Sequence, residues 1–78
     1  MIAAINGEIA SVTSDSLVVM VGGVGLRVYV TATLAAQALR GSMLRLHTHL
    51  VVREDALTLF GFESEAERDF FVLLLGAN

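Results

Sequence analysis

Two adjacent carboxylates in the second half of the chain are the residues whose type and position best suit a chemical role. Arg53, Glu54 and Asp55 separate two stretches of strand-like alternation, so they occupy a predicted hairpin turn. A tight turn favours Asn-Gly or Asp-Gly, whereas two neighbouring acids repel each other and add nothing evident to folding. Residues that are unfavourable for a tight turn and do not stabilise the fold indicate a functional role. The alternative is a solvated surface turn with no function.

A pair of histidines lies on the strand that leads into this turn. His47 and His49 share one strand face about 7 Å apart, a spacing at which two imidazoles can share a metal ion. Zinc takes three or four ligands and the chain has no cysteine, so we predict no metal site. With Arg45 and Arg53 the histidines form a weakly basic stripe that faces phosphate or, as we expect, solvent.

The glycines of the segment Val-Gly-Gly-Val-Gly do not predict a nucleotide site. Gly22, Gly23 and Gly25 precede no helix, and the chain contains no lysine that could reach a phosphate. The serines lie in no recognisable nucleophile elbow with a histidine base. We therefore expect a hairpin loop at these glycines, no cofactor, and no catalytic or ATP-binding residue in this chain.

The composition predicts one intracellular domain. A chain of 78 residues is too short for two domains, and its 55% hydrophobic content excludes intrinsic disorder. The longest stretch without a charged residue has 12 residues, short of the roughly 20 that a membrane span needs. We expect no signal peptide, since no positive charge precedes the apolar start, and the absence of cysteine fits an intracellular protein. The net charge of −3 argues against a generic nucleic-acid binder.

Hydrophobic periodicity predicts five strands and two helices. The predicted strands cover 2–12, 17–21, 26–30, 43–53 and 56–62, and the predicted helices cover 32–39 and 65–75. Gly7 predicts a bulge in the first strand, and Thr31 or Thr33 caps the first helix, with Gly41 just past its end. This order is that of the OB-fold, a mainly β, five-stranded Greek-key barrel with a short helix between strands three and four. An SH3-like barrel, the nearest competitor, usually lacks that helix.

The final helix predicts a division of the chain after residue 62. Ser64 and Glu67 form an S-x-x-E capping box, and the last turns of the helix are apolar on every side. Such a helix must be buried, yet the residues that follow it are too few to cover it. We therefore expect residues 1–62 to form the barrel and residues 63–78 to begin a truncated second domain, unless the helix packs on another copy.

Three segments together resemble one family. They are VGGVG at 21–25, HTHLVVREDA at 47–56 and LTLFGF at 57–62, and the opening Met-Ile-Ala and the last helix fit the same order. The resemblance covers essentially the whole chain and is to the N-terminal domain of the RuvA family, which binds Holliday junctions in the bacterial RuvAB branch-migration complex. Leu26 departs from the family, which often has an aromatic residue there, but the change stays hydrophobic.

The resemblance implies a subunit that binds four-way junction DNA as a homotetramer or octamer. With the RuvB ATPase, such subunits drive branch migration in homologous recombination, DNA repair and the SOS response. The chain is thereby similar to the non-motor subunit of an ATP-dependent junction helicase, in the bacterial cytoplasm at the nucleoid. Glu54 and Asp55 correspond to the family's acidic pin near the crossover, and Arg53 is a candidate contact to the DNA backbone.

The resemblance also implies that two domains of the family lie outside this sequence. A helix-hairpin-helix domain supplies most phosphate contacts in the family, and a further C-terminal domain contacts RuvB. We therefore expect weak junction binding, and no recruitment of RuvB, from these 78 residues alone. The alternatives are a generic single-strand-binding OB module, for which only Tyr29 is a predicted outward aromatic, and a purely structural oligomerisation domain.

Overall fold

The computed structural model describes residues 2–76, which form a closed five-stranded barrel and two helices. In chain order the elements are β1 (Ala4–Val12), β2 (Ser16–Val21), β3 (Val24–Tyr29), α1 (Ala32–Gln37), β4 (Met43–Val52), β5 (Leu57–Phe62) and α2 (Glu65–Leu74). The strand order around the barrel is β1-β2-β3-β5-β4, and β4 closes the barrel by pairing with β1. Only the β3–β5 pair is parallel within the described residues. The predicted OB-fold barrel is confirmed.

One apolar cluster fills the barrel, and every strand contributes to it. Leu17, Val19, Val28 and Leu46 have no exposed surface, and each alternates along its strand with a more exposed neighbour. Leu34 of α1 belongs to the same cluster, so this helix covers part of the core. Within residues 2–76, no helix is long and apolar enough to cross a bilayer.

The bulge in β1 lies at Ala10, three residues beyond the predicted position. Ile9 and Ser11 pair with consecutive residues of β2, so Ala10 is the extra residue of the bulge. The bulge changes which positions of β1 face the core, because Ile9 is buried before it and Val12 packs against the core after it.

Gly7 stays within the ladder and has a different role from the one its sequence position predicted. It pairs with Leu44 of β4, and a Cβ atom at this position would overlap the backbone carbonyl oxygen of Met20 in β2. Glycine is therefore needed here for the close approach of two backbones.

Helix α1 begins where one of the two predicted caps placed it and ends earlier than predicted. The hydroxyl of Thr31 accepts a hydrogen bond from the Leu34 amide at 3.1 Å. The helix ends at Gln37, so Gly41 lies beyond it, with a φ of +92°. There the chain turns back to the barrel, because the Gly41 amide donates to the carbonyl of Ile9 at 2.8 Å.

Helix α2 packs against the outside of β4 and β5. The predicted capping box is confirmed at its start, where Ser64 Oγ accepts from the Glu67 amide at 3.1 Å. Arg68 attaches the helix to the barrel: its Nη1 donates to the carbonyl oxygens of Ala3 at 3.2 Å and Thr48 at 3.4 Å. The side chain of Arg68 is only 17% exposed, so these bonds are partly shielded from water.

Most of the apolar surface of α2 faces away from the barrel. Phe71 and Val72 are half-buried, whereas Phe70, Leu73 and Leu74 are exposed. The predicted burial of the helix is therefore not achieved by residues 2–76, because the barrel covers only one side of it.

We expect Gly61→Ala to destabilise the barrel. A Cβ atom at Gly61 would lie 2.6 Å from Val28 Cγ1 and 3.0 Å from Leu46 Cδ1, and both of these side chains are fully buried. Overpacking of this kind costs about 1–3 kcal/mol, which lowers the melting temperature by roughly 4–8 °C per kcal/mol. Thermal unfolding followed by circular dichroism measures it. Gly23→Ala is the control, since nothing lies within 4 Å of its Cβ position, and an equal loss in both variants would contradict the packing argument.

We expect Arg68→Met to loosen α2 while the barrel stays folded. The substitution keeps a long apolar stem and removes the hydrogen bonds to Ala3 and Thr48, which together stabilise the docked helix by about 1–3 kcal/mol. Hydrogen exchange measured by NMR should accelerate at the α2 amides and stay slow in β2 and β3. Arg40→Met serves as the exposed control, and unchanged α2 exchange in Arg68→Met would contradict the assignment.

Candidate functional site

The acidic turn between β4 and β5 protrudes from the barrel. All residues from 52 to 57 are exposed, and one backbone hydrogen bond, from the Arg53 amide to the Ala56 carbonyl at 2.9 Å, closes the turn. Glu54 and Asp55 therefore occupy the tip, as the sequence predicted. Neither has a positive φ, so the tip does not use the conformation that Asn-Gly supplies, and two acids occupy it without backbone strain.

The carboxylates at the tip have no partner among the described residues. Both salt bridges within residues 2–76 are formed by Arg68, on α2, and neither Glu54 nor Asp55 makes a side-chain hydrogen bond there. Arg53, next to them, is also exposed and takes part in no such bond. The turn thus presents two free negative charges and one free positive charge, which can repel an anion at the tip and attract one at its side.

The two-stranded ladder of β4 and β5 sets the direction of the turn. Six residue pairs connect the strands, from His47 opposite Phe62 to Val52 opposite Leu57. The last pair is 67% and 70% exposed, although Leu59, two residues into β5, is buried in the core. The end of this hairpin therefore projects beyond the barrel wall on a hydrogen-bonded ribbon.

The predicted glycine loop lies at the same end of the barrel as the acidic turn. Gly22 has a φ of +62°, which confirms a hairpin loop that needs a positive φ. β3 leaves this loop parallel to β5, with Val28 opposite Leu59, so β3 and β5 both start at that end. One end of the barrel thus carries an uncharged loop and a charged one.

The two histidines do not form a free basic stripe with the arginines. His49 is half-buried, and its ring lies 6.4 Å from that of Phe71 on α2, edge to face. In the part of the chain that the structure describes, no three His, Asp or Glu side chains are grouped to hold a metal ion. The expectation of a solvated face is wrong for His49 because α2 covers this part of β4.

Tyr29 of β3 faces outward as predicted, but it belongs to an outward aromatic cluster with β5 and α2 that was not predicted from the sequence. Phe71 of α2 packs on Phe60 and Phe62, with ring centroids 4.8 and 5.1 Å away, and Tyr29 lies 6.1 Å from Phe60. The signal was present, since the inward parity of Leu59 in β5 requires the two phenylalanines to point outward.

The cleft beside these rings is poorly suited to single-stranded nucleic acid. Its lining includes Asp15 and no basic residue, whereas single-strand grooves combine aromatic rings with positive charge. Phe71 also covers the rings on which bases would stack. The generic single-strand-binding alternative therefore receives no support from this face.

The family model and the curated relatives that match this chain indicate the same protein family. The family model of the RuvA N terminal domain matches residues 1–61, which include the whole acidic turn. A relative from Chloroflexus aggregans is 48% identical over 100% of this chain and 40% of its own length. A relative from Beutenbergia cavernae is 53% identical over 95% of this chain and 37% of its own length.

A third relative, from Acidothermus cellulolyticus, is 46% identical over 100% of this chain and 40% of its own length. All three are named Holliday junction branch migration complex subunit RuvA. The chain spans about 40% of the length of the curated relatives it matches. The family match extends over most of the sequence and coincides with a closed OB-fold barrel, so this chain belongs to the RuvA N-terminal domain family.

Proposed function

We propose that this chain is the junction-facing part of a subunit that binds four-way DNA junctions. The observation that carries the proposal is the pair of free carboxylates, Glu54 and Asp55, at the tip of a projecting hairpin in a chain of this family. The names of the relatives, which describe a subunit of a Holliday junction branch migration complex, support the wider role in such a complex. We place this role in recombination and repair.

The tip selects its DNA by repulsion. Duplex DNA carries about one negative charge per 1.7 Å of its axis, so a carboxylate against a continuous duplex is always close to phosphates. At about 6 Å, each carboxylate–phosphate pair costs roughly 0.7 kcal/mol in bulk water, and more where water is excluded. Four copies around one junction place eight such charges at the centre, which disfavours continuous duplex and tolerates a junction with an open middle.

Arg53 complements this repulsion. It adjoins the acidic pair and is exposed, so its guanidinium can reach a phosphate at the edge of the open centre. A cation beside two anions fixes where the DNA backbone lies, because phosphates approach the side of the turn and avoid its tip.

The remaining parts of the longer protein supply what this chain lacks. We assign residues 1–62 to the barrel and residues 63–78 to the start of a helical domain, which fits the exposed apolar side of α2. That domain provides most of the attraction to phosphate, and a later one binds the RuvB ATPase. The subunit assembles as a tetramer or octamer and works in the bacterial cytoplasm, at the nucleoid.

Neutralising the tip should increase affinity for continuous duplex. We expect Glu54→Gln/Asp55→Asn to bind linear duplex up to about tenfold more tightly, because two repulsions of roughly 0.7 kcal/mol disappear. Affinity for a four-way junction should change less. Fluorescence anisotropy with a labelled junction, a linear duplex and a single strand, at one stated salt concentration, measures this.

The matched control for that variant is Glu8→Gln/Glu63→Gln, which removes two exposed charges elsewhere on the chain. Equal gains in both variants would indicate an effect of net charge alone. Tight binding of single strand by the native chain, with no change in the neutral-tip variant, would contradict the proposal.

Loss of Arg53 should weaken junction binding in a salt-dependent way. We expect Arg53→Gln to reduce the slope of log affinity against log salt by about 1, as removal of one phosphate contact does. Anisotropy titrations of the junction at several salt concentrations measure the slope. Arg40→Gln, which changes an exposed arginine near α1, is the control, and equal slopes for native chain and Arg53→Gln would exclude a backbone contact.

A further inference from the structure

We propose that Val52 and Leu57, the apolar pair at the base of the acidic turn, contact unpaired bases at the centre of the junction. This inference rests on the proposed function and adds a ligand for a surface that electrostatics alone leaves unexplained. The two residues form the last cross-strand pair of the β4–β5 ladder.

Both side chains of the pair are largely exposed to solvent, although they are apolar and continue the strands that form the core. Val52 is 67% exposed and Leu57 is 70% exposed, whereas Leu59 on the same strand is 6% exposed and belongs to the core. Neither residue of the pair is among the buried residues of the core cluster or the half-buried residues packed against it. Two large apolar side chains lie opposite each other on a projecting ribbon, and together they form an exposed apolar surface that can bind an apolar ligand.

The neighbouring charges restrict what can cover this surface. Val52 lies two residues before Glu54, and Leu57 lies two residues after Asp55, so the pair and both carboxylates belong to the same exposed turn. A phosphate group there is repelled, whereas the face of a nucleobase is uncharged and apolar. Unpaired bases therefore match the surface and its surroundings, and the phosphates attached to them are directed toward Arg53.

The chemistry of apolar side chains against bases is well suited to a junction. Side chains such as Leu insert between or against base steps and compensate part of the cost of unstacking. In a continuous duplex the bases are stacked and paired, so the pair meets only the charged backbone. At a crossover the strands exchange and bases can leave their partners, so an apolar pair beside a repulsive tip favours the open centre.

The test places 2-aminopurine, whose fluorescence rises when it leaves the base stack, at the crossover of a four-way junction. A second junction has the probe in the middle of one arm. The proteins are the native 78-residue chain, Val52→Thr/Leu57→Thr, and the control Met43→Thr. Met43 starts the strand that Val52 ends and is 68% exposed, about 30 Å away along β4.

At saturating protein, we expect the native chain to raise the crossover signal at least about twofold and to leave the arm signal unchanged. The Val52→Thr/Leu57→Thr variant should lose at least half of that rise and bind the junction roughly three- to tenfold more weakly, as loss of apolar contact predicts. Its affinity for linear duplex and its melting temperature should stay within error of the native values, because both residues are exposed. Met43→Thr should behave as the native chain does.

The outcomes separate this inference from the function on which it rests. If the native chain prefers junction to duplex but both proteins give the same crossover signal and affinity, the base contact is wrong and the proposed function stands. If the native chain shows no preference for the junction, the proposed function fails and the inference fails with it. If the substitutions lower the sedimentation mass of the DNA-free chain, the pair lies between copies, which also overturns the inference.

Discussion

β4 divides its hydrogen bonds between two neighbouring strands, and this division both closes the barrel and directs the acidic turn. Its first half, residues 43–47, pairs with β1 and closes the barrel, and its second half, residues 47–52, pairs with β5. The Thr48 amide still donates to the carbonyl of Ala3, and β3 pairs with β5 at Leu59 and Phe60. Beyond these bonds, the pairs Val51–Thr58 and Val52–Leu57 form a ribbon of two strands. The acidic turn can project for this reason, while its base remains attached to a fully packed core.

Two glycines allow the strands to close into a small barrel. Glycine in β1 lets two backbones approach, and glycine in β5 makes room for Val28 and Leu46, so the strands close around a core of a few large side chains. A rigid base gives the turn a defined direction, and repulsion selects shape only when the charges cannot move away from the DNA. Under the proposed function, the packing of the barrel thus supports the selectivity of the turn through β4 and β5.

The sequence predicted the barrel well because its strands alternate cleanly and its turns are marked by glycine or by charge. The position of the acidic turn was predicted correctly because apolar and polar residues alternate regularly in the strands on both sides of it. The bulge was misplaced because glycine serves both bulges and close approaches, and only the register distinguishes Gly7 from Ala10. The outward phenylalanines were missed because aromatic residues in a strand suggest a core, and α2, which covers them, is a tertiary feature.

The role of the acidic turn could not be predicted from its residues alone. Two exposed acids on a hairpin are equally compatible with a solvated surface turn, and no hydrogen bond of the described chain distinguishes the two. Membership of the RuvA N-terminal domain family is the basis for the proposed DNA junction ligand, and under that proposal the exposed charges act by repelling phosphate. The proposed role of the apolar pair below them depends on the same ligand, because the pair would contact the uncharged bases while the carboxylates repel the phosphates.

In the proposed function, repulsion between the tip and the phosphates of continuous duplex provides the selectivity. The most direct measurement is the ratio of duplex affinities of Glu54→Gln/Asp55→Asn and the native chain as ionic strength rises. Because the screening length falls from about 10 Å at 0.1 M salt to about 3 Å at 1 M, we expect a ratio well above one at low salt that approaches one at high salt. A ratio that does not depend on salt, or that is equally large for the four-way junction, would contradict it.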